Sequence, residues 1–141
     1  MPDMPTARCQ STALCIPDVG IAVLGGRNNP KCLATVEILV VASENGKIIF
    51  KWLKFPPMLR PRKSPLAAFA NNSIFVAHPS AVYAEVEMFT LLKYQQWTII
   101  KRSQQCKISF ISTSMTSTGN RLILLGTFNT ISYDANSSFK I

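Results

Sequence analysis

The stretch QSTALCIPDVGIAVL, from Gln10 to Leu24, decides the fold class. A short run rich in β-branched and aliphatic residues (10–16) meets a turn cluster, Pro17, Asp18, Val19 and Gly20, and a second apolar run, Ile21 to Leu24, follows at once. That order is the signature of two antiparallel strands joined by a tight connection. The same sentence is written twice more. Residues 64–70 lead through Asn71, Asn72 and Ser73 into Ile74, Phe75 and Val76; residues 108–115 lead through Thr118, Gly119 and Asn120 into the run at 122–125. Helical periodicity is hard to find anywhere, so the chain reads as all-β. Nearly continuous apolar strands further predict sheets covered on both faces.

The hairpins recur in register. Leu24, Val76 and Leu125 close the second strand of each, at steps of about 50 residues, the spacing of propeller blades built from four short strands. A third strand follows each hairpin, at 35–39, 85–89 and 130–133. Trp52 and Trp97 are expected to begin the fourth strands of the first two units, and Phe139 stands near that place in the third. A longer third-to-fourth connection is expected in the first unit through residues 43–47, where Asn45 and Gly46 favour a tight turn.

The residues at these places resemble the kelch-repeat family, whose blade opens on an Arg, ends its second strand in Gly-Gly and closes on a Trp and a Pro-Met turn. The first unit has Arg8, Gly25, Gly26, Trp52 and Met58; the second opens at Arg62 and carries Trp97; the third has Gly126 and Tyr133. Met4 precedes Arg8 by the same spacing as Met58 precedes Arg62. Only the first unit keeps the glycine doublet, the second having Ala77 and His78 and the third Gly126 and Thr127. The resemblance implies a single partial kelch β-propeller over 1–141. Its blade units would span roughly 8–58, 59–100 and 101–141, with 1–7 resembling the tail of a preceding blade. About three blades make an open arc rather than a closed ring, so a fragment is expected, or an arc completed by another copy of the chain.

Composition narrows the chemistry. The 141 residues are 48% hydrophobic and 16% charged, enough to bury a core, and fifteen Lys and Arg against seven Asp and Glu give +8, which favours acidic partners. The single histidine, His78, cannot supply the several ligands of the copper oxidases found among related propellers. The four cysteines (Cys9, Cys15, Cys32 and Cys106) form no Cys-x-x-Cys pair, so no zinc set and no cofactor are expected. The thiols are read as reduced in a cytoplasmic or nuclear protein, because no secretory pattern opens the chain. No run is long and apolar enough to span a bilayer, and no nucleic-acid motif accompanies the pI of about 9.7. Gly25-Gly26 lacks the context of a phosphate loop. No enzyme and no small-molecule substrate are expected.

What the resemblance implies about function is protein binding through loops at the blade rims. Those loops hold Arg27, Asn28, Asn29 and Lys31; Lys54, Arg60, Arg62 and Lys63; His78, Ser80 and Tyr83; and Lys101, Arg102 and Asn129. Arginine reads carboxylates through paired N–H donors, so the specific expectation is an acidic peptide segment. The plain alternative is a solvated basic surface, with Arg8 and Arg62 as framework. Trp52 and Trp97 are read as packing between blades rather than as ligand platforms. Family roles implied are substrate recognition for a cullin-type ubiquitin ligase or an actin-associated cytoskeletal module. The ligase role normally uses an N-terminal BTB domain, which this sequence does not contain. The alternative is a truncated or self-associating structural piece.

Overall fold

A computed structural model describes residues 1–78, 85–92, 95–100, 112–119, 121–126 and 130–134. Among them there is no helix: the fold is all-β, built from antiparallel sheets, none of which closes into a barrel. No helix of the described residues is long and apolar enough to cross a membrane. The chain divides into two compact units, Met1–Ser64 and Pro65–Ile141, so residues 59–64 belong with the first.

The first unit is a four-stranded meander with an insertion. Strands β1 (Thr12–Ile16) and β2 (Gly20–Leu24) pair through the turn at Pro17, where Val19 N–H donates to Ile16 C=O at 3.1 Å. A two-residue ribbon, β3 (Arg27–Asn28) with β4 (Lys31–Cys32), interrupts the path before β5 (Val36–Glu44) and β6 (Lys47–Phe55) complete the sheet in the order β1-β2-β5-β6. Gly20 sits where β2 meets β5 most closely. A Cβ there would lie 2.1 Å from the Leu39 carbonyl oxygen, and φ is +146°, so no larger residue fits.

The β5–β6 connection corrects the expectation of a long link. Asn45 and Gly46, both at positive φ (52° and 74°), form a two-residue hairpin turn. Residues 43, 44 and 47 belong to the strands, which pair continuously from Val36↔Phe55 to Glu44↔Lys47. Trp52 therefore lies inside β6, opposite Leu39, rather than at its start. The β5 side of the base, Val36 to Leu39, is buried, whereas no residue of β6 is, and the outer half of the hairpin is mostly exposed.

Register separates the two faces of this sheet. Ile16, Ala22, Leu24, Val36 and Ile38 lie on one face and are all buried. The opposite face holds buried Glu37 and Leu39, but it also leaves Ile21 46% and Val41 61% exposed. Only part of that face is covered, by residues 1–8, so the prediction of burial on both faces does not hold for this sheet.

The second unit contains two sheets. In the first of these, β7 (Leu66–Ala70), β8 (Ser73–Ala77), β9 (Val86–Thr90) and β10 (Trp97–Ile100) form another meander. Asn71 and Asn72, at φ of 44° and 52°, make the turn that the sequence signals between β7 and β8. Every residue of β8 is buried. Phe89 and Trp97 face each other across β9 and β10 with ring centroids 5.4 Å apart, and Trp97 begins its strand as expected.

The other sheet is β11 (Ser112–Thr118), β12 (Arg121–Gly126) and β13 (Thr130–Asp134). The start of the predicted third hairpin (108–111) and Phe139 lie outside the described residues. Met115 and Leu122 pack on one face of the preceding meander, against Ala68, Ala70, Phe75, Ala77 and Val86. The alanines hold that face low, which lets the sheets approach. Ser117 Oγ donates across the contact to Phe69 C=O at 2.7 Å. On the other face of the meander Ile74, Val76 and Phe89 are fully buried, so here the continuous apolar strands do report burial on both sides.

Candidate interaction site

Thr12, Leu24, Val36 and Phe55 stand in one row across the first sheet. The connections leaving that row, residues 25–35 and 56–64, therefore emerge at one end of the sheet. They are laced together by backbone. Gly26 N–H donates to Arg62 C=O at 2.8 Å, Arg62 N–H to Leu33 C=O at 3.0 Å, Met58 N–H to Ala34 C=O at 2.9 Å, and Ser64 N–H to Gln10 C=O at 2.7 Å. Met58, 3% exposed, plugs the base of this loop pair. Two loops that would move independently in water are thus held as one surface.

The glycine doublet explains why the loops can turn there. Gly25 and Gly26 adopt φ of 59° and 93°. A Cβ on Gly26 would come 2.6 Å from the Cys9 carbonyl oxygen, since Cys9 and Arg27 exchange backbone hydrogen bonds (3.0 and 2.8 Å) directly beside it. Ala77 and His78 in the second unit have no such positive φ. Ala77 pairs with Val86 as Leu24 pairs with Val36, so it is the last strand residue, and the place of the doublet begins at His78.

Arg8 anchors the underside. Its Nη1 donates to Gly25 C=O at 2.9 Å and to Thr35 C=O at 3.1 Å, its Nη2 donates to Thr35 Oγ1 at 3.1 Å, and Nη2 lies 3.0 Å from Glu37 Oε2. The side chains of Arg8 and Glu37 are 0% and 2% exposed. Thr6 Oγ1 donates to the other Glu37 oxygen at 2.5 Å. Arg8 is therefore framework, holding both carbonyls at the doublet. Glu37 escaped the sequence reading although it left a signal. A carboxylate inside the apolar run Val36-Glu37-Ile38-Leu39 cannot be buried without a cation beside it.

The rim residues separate into two groups. Arg62 is corrected: its side chain is 4% exposed, so it belongs to the framework and not to a binding surface. Asn28, Asn29, Lys31, Lys54, Arg60 and Lys63 are exposed, and Arg27 is half-buried, its Nη2 donating to Asn29 Oδ1. Arg27, Asn28 and Lys31 sit on the β3–β4 ribbon, whose turn carries a cis Asn29–Pro30 peptide. Arg27 has Cys9 on one side and Cys32 on the other, and both thiols are free and exposed. Among the described residues no group of three His, Cys, Asp or Glu gathers as a metal site.

Charge is segregated along the sheet. The acids of the first unit's turns, Asp18 and Glu44, lie at the opposite end, and Glu37 is taken up by Arg8. The loop end thus presents Arg27, Lys31, Arg60 and Lys63, with Lys54 beside them on β6.

Elsewhere, His78 is half-buried just beyond β8, at the matching end of the second meander. Ser80, Tyr83, Lys101, Arg102 and Asn129 lie outside the described residues. Trp52 donates its indole N–H to Pro2 C=O at 3.1 Å, and Trp97 is buried, so neither indole is offered as a platform. Gly126 ends β12, and Tyr133 stands opposite Leu122 in β13. No protein-family model matches the chain, and no curated protein matches it.

Proposed function

We propose that this chain is a kelch-type β-propeller segment acting as a non-enzymatic protein-binding module. Its partner is an acidic peptide segment, received by the loop end of the first sheet. The observation that carries the reading is the segregation of charge on the sheet: two loops laced into one surface carry Lys31, Arg60 and Lys63 exposed and Arg27 half-buried, while Glu37 is paired with Arg8 and Asp18 and Glu44 sit in the turns at the far end. A fixed cluster of Arg and Lys receives carboxylates with less ordering cost than mobile side chains on separate loops. Support for the propeller comes from the three antiparallel meanders and from the family resemblance of Arg8, Gly25, Gly26, Trp52 and Met58. Substrate recognition within a cullin-type ubiquitin ligase is the role that best suits such a surface, with an actin-associated module as the alternative.

Titration of the chain with a fluorescein-labelled Glu-rich peptide at physiological salt tests this. Arg27→Glu with Lys31→Glu is expected to weaken binding by about tenfold or more. Unchanged affinity in that variant, with its melting curve intact, overturns the reading.

A further inference from the structure

A second surface of the first unit has no part in the loop end. Strand β6 is an edge of its sheet, nine residues long, and its outer half carries two different faces. Register with β5 puts Ile48 and Phe50 on the same side as Val41, and these are 72%, 44% and 61% exposed. Lys47 and Lys51, both exposed, lie on the other side and flank the half-buried Ile49. The N-terminal segment meets β6 only further along, where Trp52 donates to Pro2 C=O. Among the described residues, 47–51 make no hydrogen bond or ion pair outside their pairing with β5.

An edge of this kind accepts another strand. A second copy of β6 is a poor candidate: antiparallel pairing with full overlap sets Lys51 opposite Lys51, and parallel in-register pairing stacks every lysine on its like. A strand with acidic residues on one side and aliphatic residues on the other complements both faces at once. Its carboxylates would flank Lys47 and Lys51, while its aliphatic side chains would cover Ile48 and Phe50.

We infer that the outer half of β6 is a strand-addition site for an extended segment of another protein in which acidic and aliphatic residues alternate. Backbone pairing supplies the attachment, and the period-two match to the lysine face and the apolar face supplies the selection. The surface is separate from the loop end, and the two proposals stand or fall independently.

The probe is an acetylated, amidated nonapeptide of alternating Glu and Val, added to the full chain while amide hydrogen exchange is followed. Slowed exchange at residues 47–51 is expected, and it should be absent with the alternating Lys and Val peptide. Lys47→Glu with Lys51→Glu is expected to reduce by about tenfold the affinity read from protection at residues 47–51. Because both lysines are exposed, exchange in β1 and β2 serves as a check that the variant folds. A peptide of the same composition with its Glu and Val in separate blocks tests the register. Equal binding of the block peptide, protection confined to 25–35 and 56–64, or no protection at 47–51 would each overturn the inference. In that case the lysines only guard an exposed edge against aggregation.

Discussion

The two four-stranded meanders share their connectivity but bury their strands differently. Strand β2 of the first (GIAVL) and β8 of the second (SIFVA) read alike, yet Ile21 is 46% exposed while Ile74, at the equivalent second position, is fully buried. The difference lies in what covers each face. The second sheet is buried on both sides, one of them packed by Met115 and Leu122. One face of the first is covered only where residues 1–8 cross it, through Trp52, Glu37 and Arg8. An apolar strand therefore records what a residue can tolerate, and its neighbours decide whether it is used.

That contrast can be broken most severely at the buried charge. Glu37 and Glu87 occupy the second position of β5 and β9, at 1% and 0% exposure. Glu37→Ala leaves the Arg8 guanidinium buried without its carboxylate and should cost about 3–5 kcal/mol in urea unfolding, with part of the loss recovered when Arg8→Met is added. If Glu37→Ala is nearly neutral, the N-terminal segment does not hold the first sheet as the geometry indicates.

A smaller effect sharpens the comparison of faces. Ile74→Thr places a hydroxyl in a closed core and should cost about 2–3 kcal/mol, whereas Ile21→Thr on the half-open face should stay within about 0.5 kcal/mol. Equal costs would mean that the two faces are equally covered in solution.

The mildest test concerns the strand ends. Gly26→Ala must accommodate a Cβ against the Cys9 carbonyl at positive φ and should lose about 2 kcal/mol. Ala77→Gly, where nothing requires glycine, should lose only about 1 kcal/mol through added freedom in the unfolded chain. Stabilisation by Ala77→Gly would show that the end of β8 is crowded or strained.

Much of this was legible beforehand. The hairpins at 12–24 and 66–77 lie where turn residues and apolar runs placed them, because Asp18 and Gly20 in one turn and Asn71 and Asn72 in the other accept positive φ locally and need no distant partner. The β5–β6 hairpin was legible in its turn but not in its length, since strand length depends on how far pairing outruns the core. Of the candidate site, Asn28, Lys31 and Arg60 are exposed, Arg27 is half-buried and Arg62 is buried. An Arg codon says nothing about which carbonyls and loops will close over it.

Strand content, the tight turns, the need for glycine at 25–26 and the excess of positive charge are all written in the residues, because they follow from local backbone and side-chain chemistry. Which cations remain outside, the pairing of Glu37 with the distant Arg8, and the two unlike sides that β6 presents at an open edge come from the folded arrangement. Those properties arise from pairing between distant segments, where register and coverage, not residue type, determine what meets solvent.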